Sequence, residues 1–335
     1  MLRRTLYISK YYNATFIFHL IMKLQQLRYV VEVARQRLNV SSAAESLHTS
    51  QPGVSKQIRL LEQELGVEIF ERHGKRVVAI TDPGRAVLAI AERILNEAAN
   101  LKRAGEEYAN EASGALRIAT THTQARYALP RAIATFKQKY PGVQLSIHQG
   151  NPTQICEEVL AGAADIAIAT EAIAEHDGLV SLPCYQWNRC VVVPPGHPLL
   201  EARSLTLEEV TRHPIITYDF AFAGRSLVNK AFESRGLTPN VVLSALDADV
   251  IKTYVELGLG IGIMAKMAFD AERDRNLRSI DASHLFESST TRLGVRRGSY
   301  LRGYAYEFIE LFAPHLPRKS VEQAVAGGTG SDYQL

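Results

Sequence analysis

The segment Ala43-Ala44-Glu45-Ser46-Leu47-His48-Thr49-Ser50-Gln51-Pro52-Gly53-Val54-Ser55-Lys56-Gln57-Ile58-Arg59-Leu60-Leu61-Glu62 reads as two helices joined by a tight turn. Ser42 followed three residues later by Glu45 has the form of a capping box, which satisfies the first free backbone N–H groups and starts a short helix ending about His48. Ser50 can cap a second helix, with Pro52 in its first turn, where a missing N–H leaves no bond unmade. In that helix Val54, Ile58, Leu61 and Leu65 share one face at helical spacing. Lys56, Arg59 and Gln63 point the other way, with Ser55 on the flank and Gln51 at the leading end. Such a polar face suits the DNA major groove: Gln and Ser can hydrogen-bond base edges, and Lys and Arg can hold phosphates or read guanine. Periodicity alone is equally compatible with an ordinary amphipathic surface pair.

Upstream, Leu24, Leu27, Val30, Val31, Ala34 and Leu38 repeat at helical spacing and predict a first helix packed under this pair. Downstream, Gly66 ends the second helix. Val67-Glu68-Ile69-Phe70 and Val77-Val78-Ala79-Ile80 then flank the basic turn Arg72-His73-Gly74-Lys75-Arg76, which reads as a hairpin, a wing whose tip would touch phosphates. A charged hairpin tip is also simply soluble. Thr81 can cap a long helix from about Pro83 to Tyr108, in which Val87, Ile94, Ala98, Leu101 and Tyr108 form one stripe at spacings near seven and Ala91 fills a gap. That stripe fits packing on its own domain or on a partner helix.

The wording A-A-x-x-L followed by S-Q-P-x-x-S-x-x-I-x-x-L-E near the chain start resembles the helix-turn-helix of the LysR-type transcriptional regulators. The resemblance implies a winged helix-turn-helix that binds double-stranded promoter DNA, with Gln51, Pro52, Ser55, Lys56, Arg59, Arg72, Lys75 and Arg76 as the contact set. It also implies that the long helix is the antiparallel linker by which these regulators associate, as homodimer to homotetramer, and that RNA polymerase is a partner. A two-fold protein reads two half-sites, which gives dimerisation its purpose.

With 335 residues and 46% hydrophobic content the chain can bury more than one core. Its 38 Lys+Arg nearly balance 35 Asp+Glu, so a basic footprint must be local rather than global. Cys156, Cys184 and Cys190 are odd in number and lack C-x-x-C spacing, which argues against a disulfide framework or a zinc site and fits a reducing cytoplasm. Residues 1–21 carry Arg3 and Arg4 and an apolar run, Ala14 to Ile21, broken by His19. A signal peptide has a longer apolar core and a membrane span needs about 20 apolar residues, so this stretch reads as an over-called start or a disordered leader. No G-x-S-x-G elbow, P-loop, H-E-x-x-H or paired-carboxylate constellation occurs, so nothing points to an enzyme, a cofactor or a metal.

Beyond the linker Glu111-Ala112-Ser113-Gly114 the pattern changes period. Strands at 115–120, 143–148 and 165–170 alternate with helices at 125–139 and 152–161, which predicts a mostly parallel doubly wound sheet. A second such unit follows, with strands at 190–194, 215–218, 241–245 and 261–264 and helices at 226–235 and 249–257. The chain crosses back near 290–295 and ends in a helix at 303–312. The tail after Pro317, with Gly327-Gly328-Thr329-Gly330-Ser331, has few core-forming residues and is expected to be disordered. The turn Thr120-Thr121-His122-Thr123-Gln124-Ala125-Arg126-Tyr127 joins a strand end to a helix start, where unpaired N–H groups favour an anion. Thr121, Thr123 and Gln124 add uncharged donors, a cage suited to a small dianion such as sulfate. The plainer reading is that they merely cap the helix.

Thr-Thr-His-Thr-Gln-Ala-Arg-Tyr-Ala-Leu-Pro, His-Gln-Gly-x-Pro-Thr-Gln-Ile, Ala-Ile-Ala-Thr-Glu-Ala, Leu-Pro-Cys-Tyr-x-Trp-Asn-Arg and Asp-Ala-Asp-Val-Ile-Lys-Thr-Tyr-Val are similar to segments of the CysB-type branch of that family, regulators of cysteine biosynthesis and sulfur assimilation, and of its sulfonate-use relatives. The likeness runs from Met22 to about Val325. It implies two α/β lobes of periplasmic-binding-protein architecture whose cleft holds sulfate on Thr121, Thr123, Gln124 and Thr170, with Trp187 near the cleft. It implies regulation by O-acetylserine or N-acetylserine as inducer and sulfate or thiosulfate as opposing anion, or, in the sulfonate branch, by sulfate or adenosine phosphosulfate. Ala223 stands where that branch carries a threonine, so a hydroxyl donor from the second lobe is missing; a lost hydrogen bond to a charged group costs about 1.5–3 kcal/mol. The expected organisation is an α/β protein with a helix-rich winged head at 22–80, a linker helix at 81–110, and a two-lobed effector region at 111–315. Lobe I would span 114–183 and 289–315, lobe II 184–288, and the tail 316–335.

Overall fold

The computed structural model describes residues 22–74, 76–109, 113–219 and 224–327. The leader at 1–21, Lys75, Glu111 and Ala112 of the linker, Ala223 and the tail from 328 lie outside the described residues. The chain divides into two compact units, one ending at Lys102 and one beginning at Arg103.

In the first unit α1 (Leu24–Arg35), α2 (Val40–Ser46) and α3 (Gln51–Leu65) enclose a core of Leu27, Val30, Val31, Ala43, Ala44, Val54, Ile58 and Leu61. Ser50 caps α3 as its spacing predicts, accepting from the Gly53 N–H at 3.3 Å, and Gly66 in the left-handed region (φ 69°) ends it. Details differ from the sequence reading. Asn39, not Ser42, caps α2: its side chain accepts from the Ser41 and Ser42 N–H groups at 3.1 Å each, so the helix starts three residues earlier than the capping box implied. Leu65 is exposed, because the last turn of α3 runs past the small core it was expected to join.

The hairpin β1 (Phe70–His73) and β2 (Arg76–Ile80) is antiparallel, Phe70 facing Ile80, with Gly74 turning at φ 64°. Helix α4 (Asp82–Ala109) follows, its first turn bonded by the Gly84 N–H to Thr81 Oγ1 at 2.9 Å. Along its stripe Ala91 is buried, Val87 and Ile94 are half-buried, and Leu101 (76%) and Tyr108 (89%) stand exposed.

The second unit holds two five-stranded sheets. Its elements in chain order are β3 (Gly114–Thr120), α5 (Leu129–Lys139), β4 (Val143–Gln149), α6 (Pro152–Leu160), β5 (Ile166–Ala169), β6 (Leu179–Trp187), β7 (Arg189–Val193), α7 (Leu207–Val210), β8 (Ile215–Tyr218), α8 (Gly224–Glu233), β9 (Val241–Ala245), α9 (Ala248–Glu256), β10 (Ile261–Ala265), β11 (Arg278–Asp281), β12 (Ser289–Arg296), α10 (Gly303–Phe312) and α11 (Arg318–Val325). Lobe I has the order β4-β3-β5-β12-β6 and lobe II β11-β7-β10-β8-β9. The alternation of strands and helices predicts mostly parallel sheets, but only half of the pairing is parallel, β3 with β4 and β5, and β8 with β9 and β10. Each sheet also carries antiparallel neighbours: β12 against β5 and β6 in lobe I, and β7 against β10 and β11 in lobe II.

Residues Cys184 to Trp187, assigned from sequence to lobe II, belong to lobe I: β6 pairs with β12 through Trp187 opposite Ser289. Pro183 falls at a bulge in that ladder, where its missing N–H is tolerated. The tail also differs from expectation. Val321, Ala324 and Val325 of α11 are buried in the lobe I core, and the Arg318 guanidinium lies 4.8 Å from the centre of the Tyr306 ring. Three apolar residues on one face of a single two-turn helix suffice to dock it, a signal too short to stand out from composition. Among the described residues no helix is long and apolar enough to cross a membrane.

Candidate functional site

On the head, the residues singled out in α3 form one surface. Gln51, Pro52, Lys56 and Arg59 are exposed and Ser55 is half-buried; together with Leu60 and Gln63 they line a shallow groove. The Gln51 amide donates to Ser55 Oγ at 3.1 Å, which orients it on the leading turn. A second concavity joins this surface to the wing through Gln51, Ser41, Asn39, Arg37 and Arg76. Sequence reading missed Arg37, which has a left-handed φ of 51°, as does Leu38 at 68°. Non-glycine residues in that region are uncommon and concentrate where structure or function demands them.

Arg72 is used differently from its expected phosphate role. Its guanidinium donates to Glu62 at 2.8 and 3.2 Å, and Glu62 also accepts the backbone N–H groups of Ile69 and Phe70 at 2.9 and 3.2 Å. Glu62 is buried. The pair braces the root of the wing against α3, and of the wing cations among the described residues Arg76 is the one lining the concave face.

In the second unit, the turn after β3 enters a helical run whose first segment, Gln124–Ala128, is a π-turn before α5 begins. Such turns widen a helix locally and often mark functional positions. This one places Thr121, His122, Thr123 and Gln124 on one wall of an inter-lobe cavity of about 40 Å³, with Thr170, Trp187 and Pro152 beside them and Tyr218, Leu246 and Ala265 from lobe II opposite. The cavity is partly open to solvent and has room for a small oxyanion. Among the described residues no Lys or Arg lines it.

The expected ligand residues thus converge, but not with equal freedom. Gln124 is buried and tied within lobe I: its Nε2 donates to Thr291 Oγ1 at 3.0 Å and its Oε1 accepts from the Tyr185 hydroxyl. Thr123 and Tyr218 of lobe II line the cavity together; the Tyr218 hydroxyl accepts from the Ala265 N–H at 3.2 Å, and burial pushes that phenol up to about 12. Tyr218 is a cavity residue that sequence reading treated only as strand. Two buried nitrogens, Trp187 Nε1 and His122 Nδ1, have no protein partner among the described residues. Orphaned buried polar atoms are rare and point to a ligand or solvent partner.

Beside the cavity a polar latch joins the lobes. The Tyr127 hydroxyl donates to Asp249 Oδ1 at 2.7 Å, Lys252 Nζ reaches the same hydroxyl and Asp274 Oδ1, each at 3.1 Å, and Arg126 Nε meets Asp249 Oδ2 at 2.7 Å. Burial alone would raise the Asp249 pKa, but the hydrogen bonds from Tyr127 and Lys252 and the charges of Lys252 and Arg126 hold it below the usual carboxylate range. Burial likewise opposes the Lys252 charge, and its bonds to Tyr127, Asp274 and Asp249 hold it above the usual ammonium value. Cys156, Cys184 and Cys190 are buried, which pushes their thiols up to about 11, 12 and 11, the opposite of what a reactive thiolate needs.

Residues 24–85 match the family described as bacterial regulatory helix-turn-helix protein, lysR family, and residues 109–317 match the LysR substrate binding domain. The HTH-type transcriptional regulator CysB of Burkholderia cenocepacia is 58% identical over 314 residues, covering 94% of this chain and all of that one. The HTH-type transcriptional regulator SsuR of the same organism is 55% identical over 295 residues, covering 88% and 96%. Among solved structures, the cofactor-binding domain of the Cbl transcriptional regulator superposes with a TM-score of 0.63 at 43% identity, covering 65% of this chain and 96% of that one. A full-length OxyR of Pseudomonas aeruginosa, 23% identical, shares the fold at a TM-score of 0.61 over 88% of this chain and 97% of its own. With its DNA-binding helices and two effector lobes both matched, the chain belongs to the LysR family of transcriptional regulators and is not an enzyme.

Proposed function

We propose that this regulator controls genes of sulfur assimilation and cysteine biosynthesis, mainly as an activator, and that its inter-lobe cavity takes a compact sulfur oxyanion. The observation that carries the reading is the cavity itself: uncharged donors in a volume of about 40 Å³, with the Trp187 indole N–H facing no protein acceptor among the described residues. Neutral donors suit a small dianion because several hydrogen bonds disperse its charge without fixing a counter-ion. Thr121, Thr123, Thr170 and Trp187 are the proposed ligands, Gln124 acts through its backbone and by shaping the wall, and Ala223 is the position at which a second-lobe hydroxyl is missing. The similarity to CysB of Burkholderia cenocepacia supports the sulfur assignment.

In this reading residues 22–80 bind promoter DNA through Gln51, Pro52, Ser55, Lys56, Arg59 and Arg76, residues 81–110 associate two or four chains in the cytoplasm, and RNA polymerase is recruited at the promoter. Acetylserine is the inducer and sulfate or thiosulfate the opposing anion. The similarity to SsuR and Cbl supports a second reading, control of sulfonate or sulfate-ester use through sulfate or adenosine phosphosulfate. Calorimetric titration of the full chain with sulfate, thiosulfate, O-acetylserine, N-acetylserine and adenosine phosphosulfate decides between them. Sulfate or thiosulfate binding that weakens about tenfold or more in Thr123→Ala is expected; binding of adenosine phosphosulfate alone, or unchanged anion affinity in that variant, overturns the reading.

A further inference from the structure

Arg189 is the largest fully buried side chain among the described residues, at 1% exposure. A buried guanidinium is retained only where its fixed fork of donors is satisfied. Here the fork spans the hinge. The chain passes from lobe I to lobe II between Trp187 and Arg189, where β6 gives way to β7, and returns between β11 and β12 at 281–289. Arg189 Nη1 donates to the Glu287 carbonyl at 2.7 Å and Nη2 to the Ser289 hydroxyl at 2.8 Å, so one side chain on the outgoing strand holds the returning one. Its carbonyl accepts from the Ala282 N–H at 3.3 Å, and the neighbouring Asn188 carbonyl accepts from the Lys266 N–H at 2.9 Å, which anchors the outgoing crossing to lobe II. The same guanidinium lies 5.1 Å from the centre of the Trp187 ring. Trp187 faces Ser289 across the ladder and lines the anion cavity.

We propose that Arg189 is a positioning residue that couples the cavity to the hinge: it clamps the two inter-lobe crossings together and holds the Trp187 indole in place for the ligand. An oxyanion accepting the indole N–H fixes the ring, and the ring cannot shift without losing its stack on the guanidinium or carrying both crossing strands with it. Lobe closure and ligand contact then become one event, because interactions that differ between open and closed arrangements are what let a ligand choose between them. Lysine cannot replace this arginine: a point charge with no planar fork reaches one crossing and offers no face for stacking.

The inference rests on the anion reading, and the test separates the two. The chain has a single Trp, so its emission reports Trp187 alone. In the full chain without ligand, Arg189→Lys is expected to red-shift that emission and to raise amide hydrogen exchange at 187–190 and 287–290 together. With sulfate added it is expected to lose the emission change seen in the unsubstituted chain and to bind sulfate about tenfold more weakly. Ser289→Ala, which removes one acceptor and keeps the arginine, gives the same pattern at about threefold, and carries the test alone if Arg189→Lys does not fold. Exchange rising at one crossing only, or an unaltered emission response to sulfate in a variant that merely melts earlier, overturns the clamp and leaves a structural arginine. Failure of the unsubstituted chain to bind sulfate overturns the anion reading, and the ligand-free exchange and emission then decide the clamp by themselves.

Discussion

The outer face of α3 and the inter-lobe cavity are both polar sites, built on opposite terms. On α3 the polar groups are long, mostly exposed and loosely held, and Lys56 and Arg59 keep their charge in solvent. In the cavity they include no Lys or Arg, are buried or half-buried, and in part are fixed by partners from distant parts of the chain, as Gln124 is by Thr291 and Tyr218 by the Ala265 N–H. Charge in solvent gives affinity for a polyanion that salt erodes, through counter-ion release. Preorganised neutral donors give selectivity for one small shape, because the protein has already ordered them before the ligand arrives. On the proposed reading one chain carries a site for a large, repetitive anion and a site for a small, discrete one, and each should fail in its own way.

The sharpest break in that contrast is Glu62→Ala, which acts on the head alone. It strands two buried N–H groups and Arg72, and removing one member of a buried pair costs about 3–5 kcal/mol. Denaturant titration should show the head unfolding early while sulfate calorimetry is preserved; a loss below about 1 kcal/mol would mean the brace is idle.

Next in size is Lys252→Met in the latch, which leaves Asp274 and Asp249 without their shared cation and should cost the second unit about 2–3 kcal/mol. Its pH dependence has a defined sign. Asp249 titrates lower in the folded chain than in the unfolded one, where a carboxyl titrates near 3.9, so the latch contributes fully above about pH 5 and is lost as pH falls through the folded value. The variant should therefore lose part of the acid sensitivity seen in the melting temperature of the unsubstituted chain between about pH 5 and 3; parallel pH curves would remove Asp249 from the account.

Arg59→Ala is the smallest change and the cleanest test of the head's chemistry. It should weaken DNA binding by about 1 kcal/mol and lower the slope of log affinity against log salt by about 0.9, with sulfate affinity untouched. A salt slope equal to that of the unsubstituted chain would show that Arg59 meets no phosphate.

The contrast also explains what the sequence could reveal. The α3 face is written locally, at spacings of three and four, so its cap at Ser50, its end at Gly66 and its buried Val54, Ile58 and Leu61 could all be read in order. The cavity is written across long separations: Gln124 meets Thr291 over 167 positions, and Tyr127 meets Asp249 over 122. Spacing says nothing about such pairs, which is why it assigns no role to the side chains of Tyr218, Tyr127, Asp249 and Lys252 and leaves Thr121 and Thr123 open between anion donors and plain caps. Arg72 shows the limit within the head itself. A cation in a basic turn looks like a phosphate contact until Glu62, ten residues earlier on the same helix as the buried Leu61, is seen to face it. Strand β6, which the sequence reading did not name, becomes visible through its pairing with β12.

The two sites matter jointly only if filling one alters the other. Footprinting of the full chain on a genomic fragment selected for tight binding, with and without sulfate at a concentration that calorimetry shows to saturate the cavity, tests that directly. A footprint that changes in length or spacing when sulfate is added is the expected result. An identical footprint with the cavity filled would contradict the account, leaving a DNA-binding head and an anion-binding domain that share a chain and nothing more.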